Sequence, residues 1–308
     1  MVVAKGTKVF IAGCGGMLGK GVYEKFSVHC QVMATDIDLN EPWLIYADVR
    51  DYDNTAKIIL QFKPDLIINL AALTDLEYCE MNPEEAWKTN ALGAENMALI
   101  SKKLNATHVY ISSAGIFDGK QEFYNDFDQP NPLGIYAKSK YYGEMIVANI
   151  LDKYFILRAG WMMGGGYEKD KKFINKIFKQ VIRKQKELFV VADKLGTPTY
   201  TINFAENMFK LIQTDLYGLY NMVCSGNCSR YDIAVEFIKL LGLESIINIK
   251  IVSSEYFKHE YFAPRPHSEK LINLKLTARG LNYMRDWKEC LKEYSGHYKE
   301  LLSKMNTI

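Results

Sequence analysis

Through the first half of the chain, short apolar runs alternate with longer mixed segments, the pattern of a parallel sheet wound with helices. Lys8-Val-Phe-Ile-Ala-Gly13 is an unbroken apolar run and predicts a first strand buried on both faces. Gln31-Val-Met-Ala-Thr-Asp36 and the runs at 65–72, 108–113 and 154–158 predict four more strands. Helix-like stretches lie between them at 17–26 and 135–150, and another follows the last at 171–186. Asn82-Pro83-Glu84-Glu85 opens one long helix, with a cap residue, a proline at the first helical position and acids at the positive end of the dipole. Past Trp161 the order is less regular, with strands expected at 188–191, 218–223 and 246–252 and helices between them. No Pro/Gly/Ser-rich linker, repeat or low-complexity tract divides the chain. These elements predict an α/β protein with a doubly wound parallel sheet and a smaller C-terminal α/β lobe. Residues 1–160 form the nucleotide-binding domain, revisited at 197–223, and 161–196 with 224–308 form the substrate lobe.

Composition narrows this little. The 308 residues are 48% hydrophobic and 24% charged, which excludes wholesale disorder. Lys+Arg 38 against Asp+Glu 36 leaves a net charge of +2, too balanced to announce a nucleic-acid or membrane-surface binder. No stretch approaches the ~20 apolar residues of a membrane span, and no signal-peptide pattern opens the chain. Six scattered cysteines have neither zinc-ribbon nor CxxC spacing, and Cys224 and Cys228 lack a second Cys/His pair. A reduced, cytoplasmic protein without a metal is expected.

The chemistry begins at Gly13-Cys-Gly-Gly16-Met17-Leu18-Gly19, directly after a strand and before a helix. Such glycines permit a tight turn and close backbone approach to a pyrophosphate, which the helix N-terminus then attracts. A glycine triplet elsewhere is a simple turn; the strand–turn–helix setting makes this one a Rossmann-type dinucleotide site. Asp36 ends the second strand 36 − 13 = 23 residues after the first glycine, near the ~20-residue offset of an acid that bonds the ribose 2′-hydroxyl. Its charge would repel a 2′-phosphate, and Ile37, Asp38 and Leu39 supply no arginine, so NAD is favoured over NADP. A solvated acid at a strand end is the alternative.

Tyr136 and Lys140 stand four apart on a predicted helix and project from one face. A phenol with a pKa of about 10 is a poor acid–base group at neutral pH, and a nearby ammonium lowers that value. YxxxK alone is common among 20 tyrosines and usually marks a surface helix. Ser113, at the end of the fourth expected strand, supplies the second feature, because strand ends of a parallel sheet face the ligand crevice.

Together these residues resemble the extended short-chain dehydrogenase/reductases, through Gly13-x-x-Gly16-x-x-Gly19, Asp48-Val49, Asn69-x-Ala71-Ala72, Asn90, Ser113, Tyr136 and Lys140. More narrowly the chain resembles the dTDP-4-dehydrorhamnose reductase family. The matching segments include Ala71-Ala-Leu-Thr74, Phe117-Asp-Gly119, Ser139-Lys140-x-x-Gly143-Glu144, Leu157-Arg158-x-x-Trp161 and Arg265-Pro266. The resemblance implies reduction of the 4-keto group of a nucleotide-linked deoxysugar by NAD(P)H, with Tyr136 as proton donor, Ser113 polarising the carbonyl, and Lys140 tuning Tyr136 and holding the nicotinamide ribose. It places Gly13, Gly16, Met17, Leu18, Gly19, Asp36, Asp48, Val49, Asn69, Ala71, Ala72 and Asn90 against the cofactor. Thr74, Trp161 and Arg265 would line the sugar-nucleotide pocket. It also implies a homodimer.

Two departures stand out. The reductases carry Ser-Thr-Asp-Tyr where this chain reads Ser112-Ser113-Ala114-Gly115, which bears on the sugar accepted. The run from Gly164 to Lys172 is longer than usual, and its Lys169, Lys171 and Lys172 are expected to be solvated. Two alternatives share the fold, a sugar-nucleotide epimerase and a non-catalytic NAD(P)-binding regulatory subunit similar to the one that partners methionine adenosyltransferase. A dehydratase would add an acid beside the catalytic hydroxyl, and Ala114-Gly115 offers none.

Overall fold

The computed structural model describes residues 3–306. Seven parallel strands form the central sheet: β1 (Lys8–Ala12), β2 (Gln31–Asp36), β3 (Leu44–Tyr46), β4 (Leu66–Asn69), β5 (Thr107–Ser113), β6 (Tyr154–Ala159) and β7 (Gly218–Asn221). Their order is β7-β6-β5-β4-β1-β2-β3, so the winding direction reverses between β1 and β4. At that switch point a crevice opens beyond the strand ends. In register, Ala12 pairs with both Thr35 and Asn69, and Ser113 pairs with Ala159. The unbroken apolar runs are the buried ones: Val9, Phe10 and Ile11 in β1, and Leu66, Ile67 and Ile68 in β4, have no exposed surface.

Three features depart from the expected elements. The edge strand β3 and the helix Tyr52–Phe62 fall where none was expected. The strand is only three residues long, Leu-Ile-Tyr, too short to show a period. The helix does carry a signal: the Asp51 side chain caps it by accepting from Asn54 N–H, and Thr55, Ala56, Ile59 and Phe62 are buried at helical spacing. The single helix expected from Asn82 is a continuous run from 83 to 104 with a π-helical segment, Lys88–Leu92, inside it. Asn90 lies in that segment, 1% exposed.

The remaining chain builds small sheets beside the crevice. Trp161–Met163 pairs with Pro198–Tyr200, and Glu187–Val191 pairs with Asn248–Val252. Leu195–Gly196 is flanked by Cys228–Ser229 on one side and Ser268–Glu269 on the other. The core of β1 and β4 continues into this region through Phe178, Phe204, Phe237, Tyr294 and Tyr298. Among the described residues, no helix is long and apolar enough to cross a membrane.

Candidate functional site

The crevice floor is the turn after β1. Gly13 has φ +72°, and a Cβ there would lie 2.3 Å from the Ala71 backbone nitrogen. A Cβ on Gly19 would overlap the Cys14 carbonyl. These two glycines are demanded by backbone approach. Gly16 differs: a Cβ there would meet only Gly13 O, at 3.6 Å, so the protein leaves the space above it clear. The helix Gly19–Ser27 follows with Leu18 at its N-cap and no side chain capping its N–H groups. Leu18 buries its own side chain and offers the crevice only backbone. An open space over a glycine, ahead of an uncapped helix start, fits the pyrophosphate of a dinucleotide.

Asp36 ends β2 beside this turn. Its carboxylate accepts from Gly15 N–H at 2.8 Å and from Asp38 N–H at 3.0 Å, so it braces the loop. Asp48 is gripped by Arg50 through Nε and Nη2, which, against the opposing effect of burial, holds its carboxyl below the usual range. Val49 O accepts from Asn96. Asn69 Oδ1 accepts from Ala71 N–H at the end of β4. Asn90 accepts from Leu73 N–H and donates to Leu73 O and Ser139 Oγ, which fixes the strand exit carrying Ala71 and Ala72. A π-helical turn widens the helix locally and often marks a functional position.

Tyr136 and Lys140 lie on the helix Ile135–Ile150, as their spacing predicts. Close docking fixes this helix to the sheet. A Cβ on Gly143 would fall within 2.8 Å of Asn90 O, and Tyr110 Oη donates to Lys140 O. Glu144 and Arg158 form a bidentate ion pair at 2.8 and 2.9 Å, buried between helix and β6. Ser113 Oγ accepts from Gly115 N–H at 3.1 Å and faces the Tyr136 side chain across Gly115. Burial pushes the Tyr136 phenol up to about 12; the Ser113 hydroxyl opposes this and the nearby Glu269 charge adds to it.

The expected lowering of Tyr136 by Lys140 is not seen. Lys140 Nζ sits over the Tyr110 ring, 4.1 Å from its centroid, and burial brings its own pKa down to about 7 despite the opposing charge of Glu144. Gly115, where the reductases carry tyrosine, has no positive φ. A Cβ there would make ordinary contacts, 3.4 Å from Ser113 Oγ and 3.9 Å from Tyr136 Cε1. Neither backbone nor packing requires this glycine, so its effect is to leave room at the hydroxyl pair.

Across the crevice the side chains are charged. Thr74 accepts from Lys172 Nζ through both its carbonyl and its hydroxyl, at 2.9 and 3.1 Å. Lys172 is therefore drawn into the crevice rather than solvated, and Lys169 pairs with Glu41 at 2.7 Å. Both stand on a segment whose Gly165 packs on Met17 of the glycine turn, and only Lys171 is exposed as expected. The Arg265 guanidinium is already engaged, bidentate to Glu77 at 2.6 and 2.8 Å. Trp161 donates through Nε1 to Glu269 at 3.1 Å, and the Arg230 guanidinium covers its ring at 3.7 Å. A Cβ on Gly196 would lie 2.4 Å from the same indole. Arg230, Glu269 and Lys172 were missed as site residues: Arg230 follows and Glu269 ends a two-residue strand with no periodicity to read, and Lys172 sits inside a run of charges.

The RmlD substrate binding domain family matches residues 7–300. The spore coat polysaccharide biosynthesis protein SpsK of Bacillus subtilis is 32% identical over 289 residues, covering 94% of this chain and 96% of that protein. The dTDP-4-dehydrorhamnose reductase of Aggregatibacter actinomycetemcomitans is 28% identical, covering 92% and 97%. The crystal structure of dTDP-4-dehydrorhamnose reductase from Bacillus anthracis in complex with NADP superposes with a TM-score of 0.86 at 30% identity, covering 94% and 98%.

Proposed function

Because the chain belongs to the RmlD substrate binding domain family, we propose that it reduces the keto group of a nucleotide-linked deoxysugar with NAD(P)H, as a dTDP-4-dehydrorhamnose reductase-like enzyme. The observation that carries this reading is the Ser113–Tyr136 hydroxyl pair, set at the strand-end crevice beside the glycine turn. Bound over Gly13, Gly16 and the start of the helix Gly19–Ser27, a reduced nicotinamide dinucleotide supplies the hydride.

The chain's own residues do the rest. The Ser113 hydroxyl, whose oxygen accepts from Gly115 N–H, turns its O–H from Tyr136 to the carbonyl oxygen and polarises it. Tyr136, held near 12, stays protonated at neutral pH, which is the form needed to donate. The alkoxide that develops on the sugar is more basic than a phenolate, so the proton passes from Tyr136 Oη to that oxygen. Lys140, brought down to about 7 mainly by burial, sits one turn from Tyr136, suited to the ribose hydroxyls of the cofactor and to returning the proton. Thr74, Trp161 and Arg265 border the sugar-nucleotide side. Asp36 favours NADH over NADPH, because no cation accompanies it at Ile37, Asp38 or Leu39. Residues 1–160 with 197–223 are taken as the nucleotide-binding unit.

The test is NADPH and NADH oxidation with dTDP-4-dehydrorhamnose. Tyr136→Phe is expected to lower kcat by about 10²–10⁴-fold with cofactor affinity unchanged. Full activity in that variant would remove Tyr136 from the mechanism. Wild-type protein that oxidises neither cofactor with any keto-deoxysugar nucleotide would favour a regulatory subunit.

A further inference from the structure

The crevice wall opposite Tyr136 contains a guanidinium and a carboxylate that the proposed chemistry does not use. Arg230 opens the helix Arg230–Leu241 directly after the strand Cys228–Ser229, and Glu269 closes the strand Ser268–Glu269. Both strands flank Leu195–Gly196, and Cys228 and Glu269 pair with the same residue, Gly196. Trp161 lies against that glycine, so this small sheet brings three segments far apart in the chain around one indole.

Arg230 stacks on Trp161 at 3.7 Å and reaches Phe173 at 5.1 Å. No hydrogen bond or ion pair takes up its five N–H donors among the described residues. Burial brings its pKa down to about 10, so it remains a cation at neutral pH. Glu269 spends Oε2 on Trp161 Nε1–H, which leaves Oε1 with no hydrogen-bond partner among the described residues. The two charges attract one another without forming a direct ion pair. A donor-only group and an acceptor-only group thus stand near one aromatic ring, each with bonding capacity to spare.

We propose that Arg230 and Glu269 form the subsite that recognises the hydroxyl-bearing hexose ring of the nucleotide sugar, the guanidinium donating to its hydroxyl oxygens and the carboxylate accepting from its hydroxyl hydrogens. A hydroxyl both donates and accepts, so adjacent hydroxyls satisfy both side chains at once. A diphosphate is acceptor-only and would be set against the Glu269 charge. The subsite stands near the Ser113–Tyr136 pair, because Trp161, which carries both side chains, lies two residues beyond Ala159, the strand partner of Ser113, and the space left by Gly115 opens on that pair. Trp161 backs the arginine instead of offering its covered face to the sugar. This inference rests on the reductase reading for its substrate class.

The experiment is calorimetric titration of the NADPH-saturated protein with dTDP-rhamnose and, separately, with dTDP. Wild-type protein is expected to bind dTDP-rhamnose at least about tenfold more tightly than dTDP, the size expected of hydrogen bonds to charged groups. Arg230→Met and Glu269→Gln should each bring that ratio to about two while the Kd for dTDP stays within about twofold. Arg230→Lys, which keeps the charge, should retain part of the preference, and it carries the test with Glu269→Gln if the methionine variant does not fold. Equal binding of the two ligands by wild type, or an unchanged ratio in the variants, overturns the proposal. So does loss of dTDP affinity in Arg230→Met as large as the loss for dTDP-rhamnose, which would make the guanidinium a diphosphate contact. Turnover of dTDP-4-dehydrorhamnose is measured in parallel. A wild type that prefers the sugar nucleotide but oxidises neither NADH nor NADPH breaks the reductase reading and leaves this subsite standing; turnover with unaltered ratios breaks the subsite alone.

Discussion

The two walls of the crevice are built by different means. On the cofactor wall, backbone sets the geometry: Gly13 lies against Ala71, Gly19 against Cys14, and Asn90 holds both backbone groups of Leu73. On the sugar wall, long charged side chains set it: Arg230 on Trp161, Glu269 beneath the indole N–H, Arg265 on Glu77 and Lys172 on Thr74. A backbone-built wall tolerates almost no substitution but recognises a group common to many reactions. A side-chain wall can be rewritten residue by residue without disturbing the sheet beneath it. A wall division of this kind lets a fold hold one chemistry fixed while its ligand preference changes.

Substitutions test this division directly. The largest effect is expected at Gly13→Val, which adds a β-branched side chain at φ +72° against the Ala71 backbone. NADPH affinity should fall more than ~100-fold, read by fluorescence titration, together with a loss of at least about 2 kcal/mol of stability. A normal Kd would show that the wall is not backbone-built. Next comes Gly115→Leu, which the backbone accommodates and which fills the space before Ser113 and Tyr136. It should lower kcat/KM for the sugar nucleotide by about 10²-fold, the scale of an ångström-sized misplacement, and leave cofactor Kd unchanged. A parallel loss of cofactor binding would erase the distinction between the walls.

Asp36→Asn removes charge but keeps an oxygen able to accept from Gly15 N–H. The ratio of kcat/KM for NADPH to that for NADH should rise about tenfold, equivalent to about 1.4 kcal/mol. No change would assign Asp36 to loop bracing alone. The smallest effect is on stability, at Lys140. Its folded pKa of about 7 lies below the ordinary 10.5, mainly through burial. Between those values the unfolded chain holds the proton and the folded chain does not, so stability at this site rises with pH from about 7 to about 10.5 and is least below 7. Lys140→Met should therefore raise Tm by roughly 4 °C at pH 6, with a shrinking gain towards pH 10, even as activity is lost. A lowered Tm at pH 6 would show that the ammonium is stabilised where it stands.

The same division explains what could be read from the chain beforehand. Gly13, Asp36, Ser113, Tyr136 and Lys140 sit at fixed offsets from elements whose apolar runs are long and unbroken, so spacing brings them to one sheet edge. Arg230 and Glu269 owe their meeting to two-residue strands on either side of Gly196, and such strands leave no periodic trace. Lys172 lay within a charged run, and only the fold shows that it reaches Thr74. The π-helical turn at Asn90 was likewise invisible: within it Asn90 bonds to Leu73 and Ser139, residues brought to it by the fold. The helix Tyr52–Phe62 is the contrary case, since its cap and apolar spacing were present in the sequence.

The covering of Trp161 has an optical consequence. Of the four tryptophans, it has a guanidinium against its ring, whereas the cations over Trp43 and Trp287 are lysines at 5.9 and 5.6 Å. Its indole N–H is also tied to a carboxylate. Any ligand that draws Arg230 or Glu269 away changes the electric field along that indole, and with it the colour of its emission. The protein thus carries its own label at the sugar wall, and occupancy of that wall can be followed without a cofactor signal or an added dye.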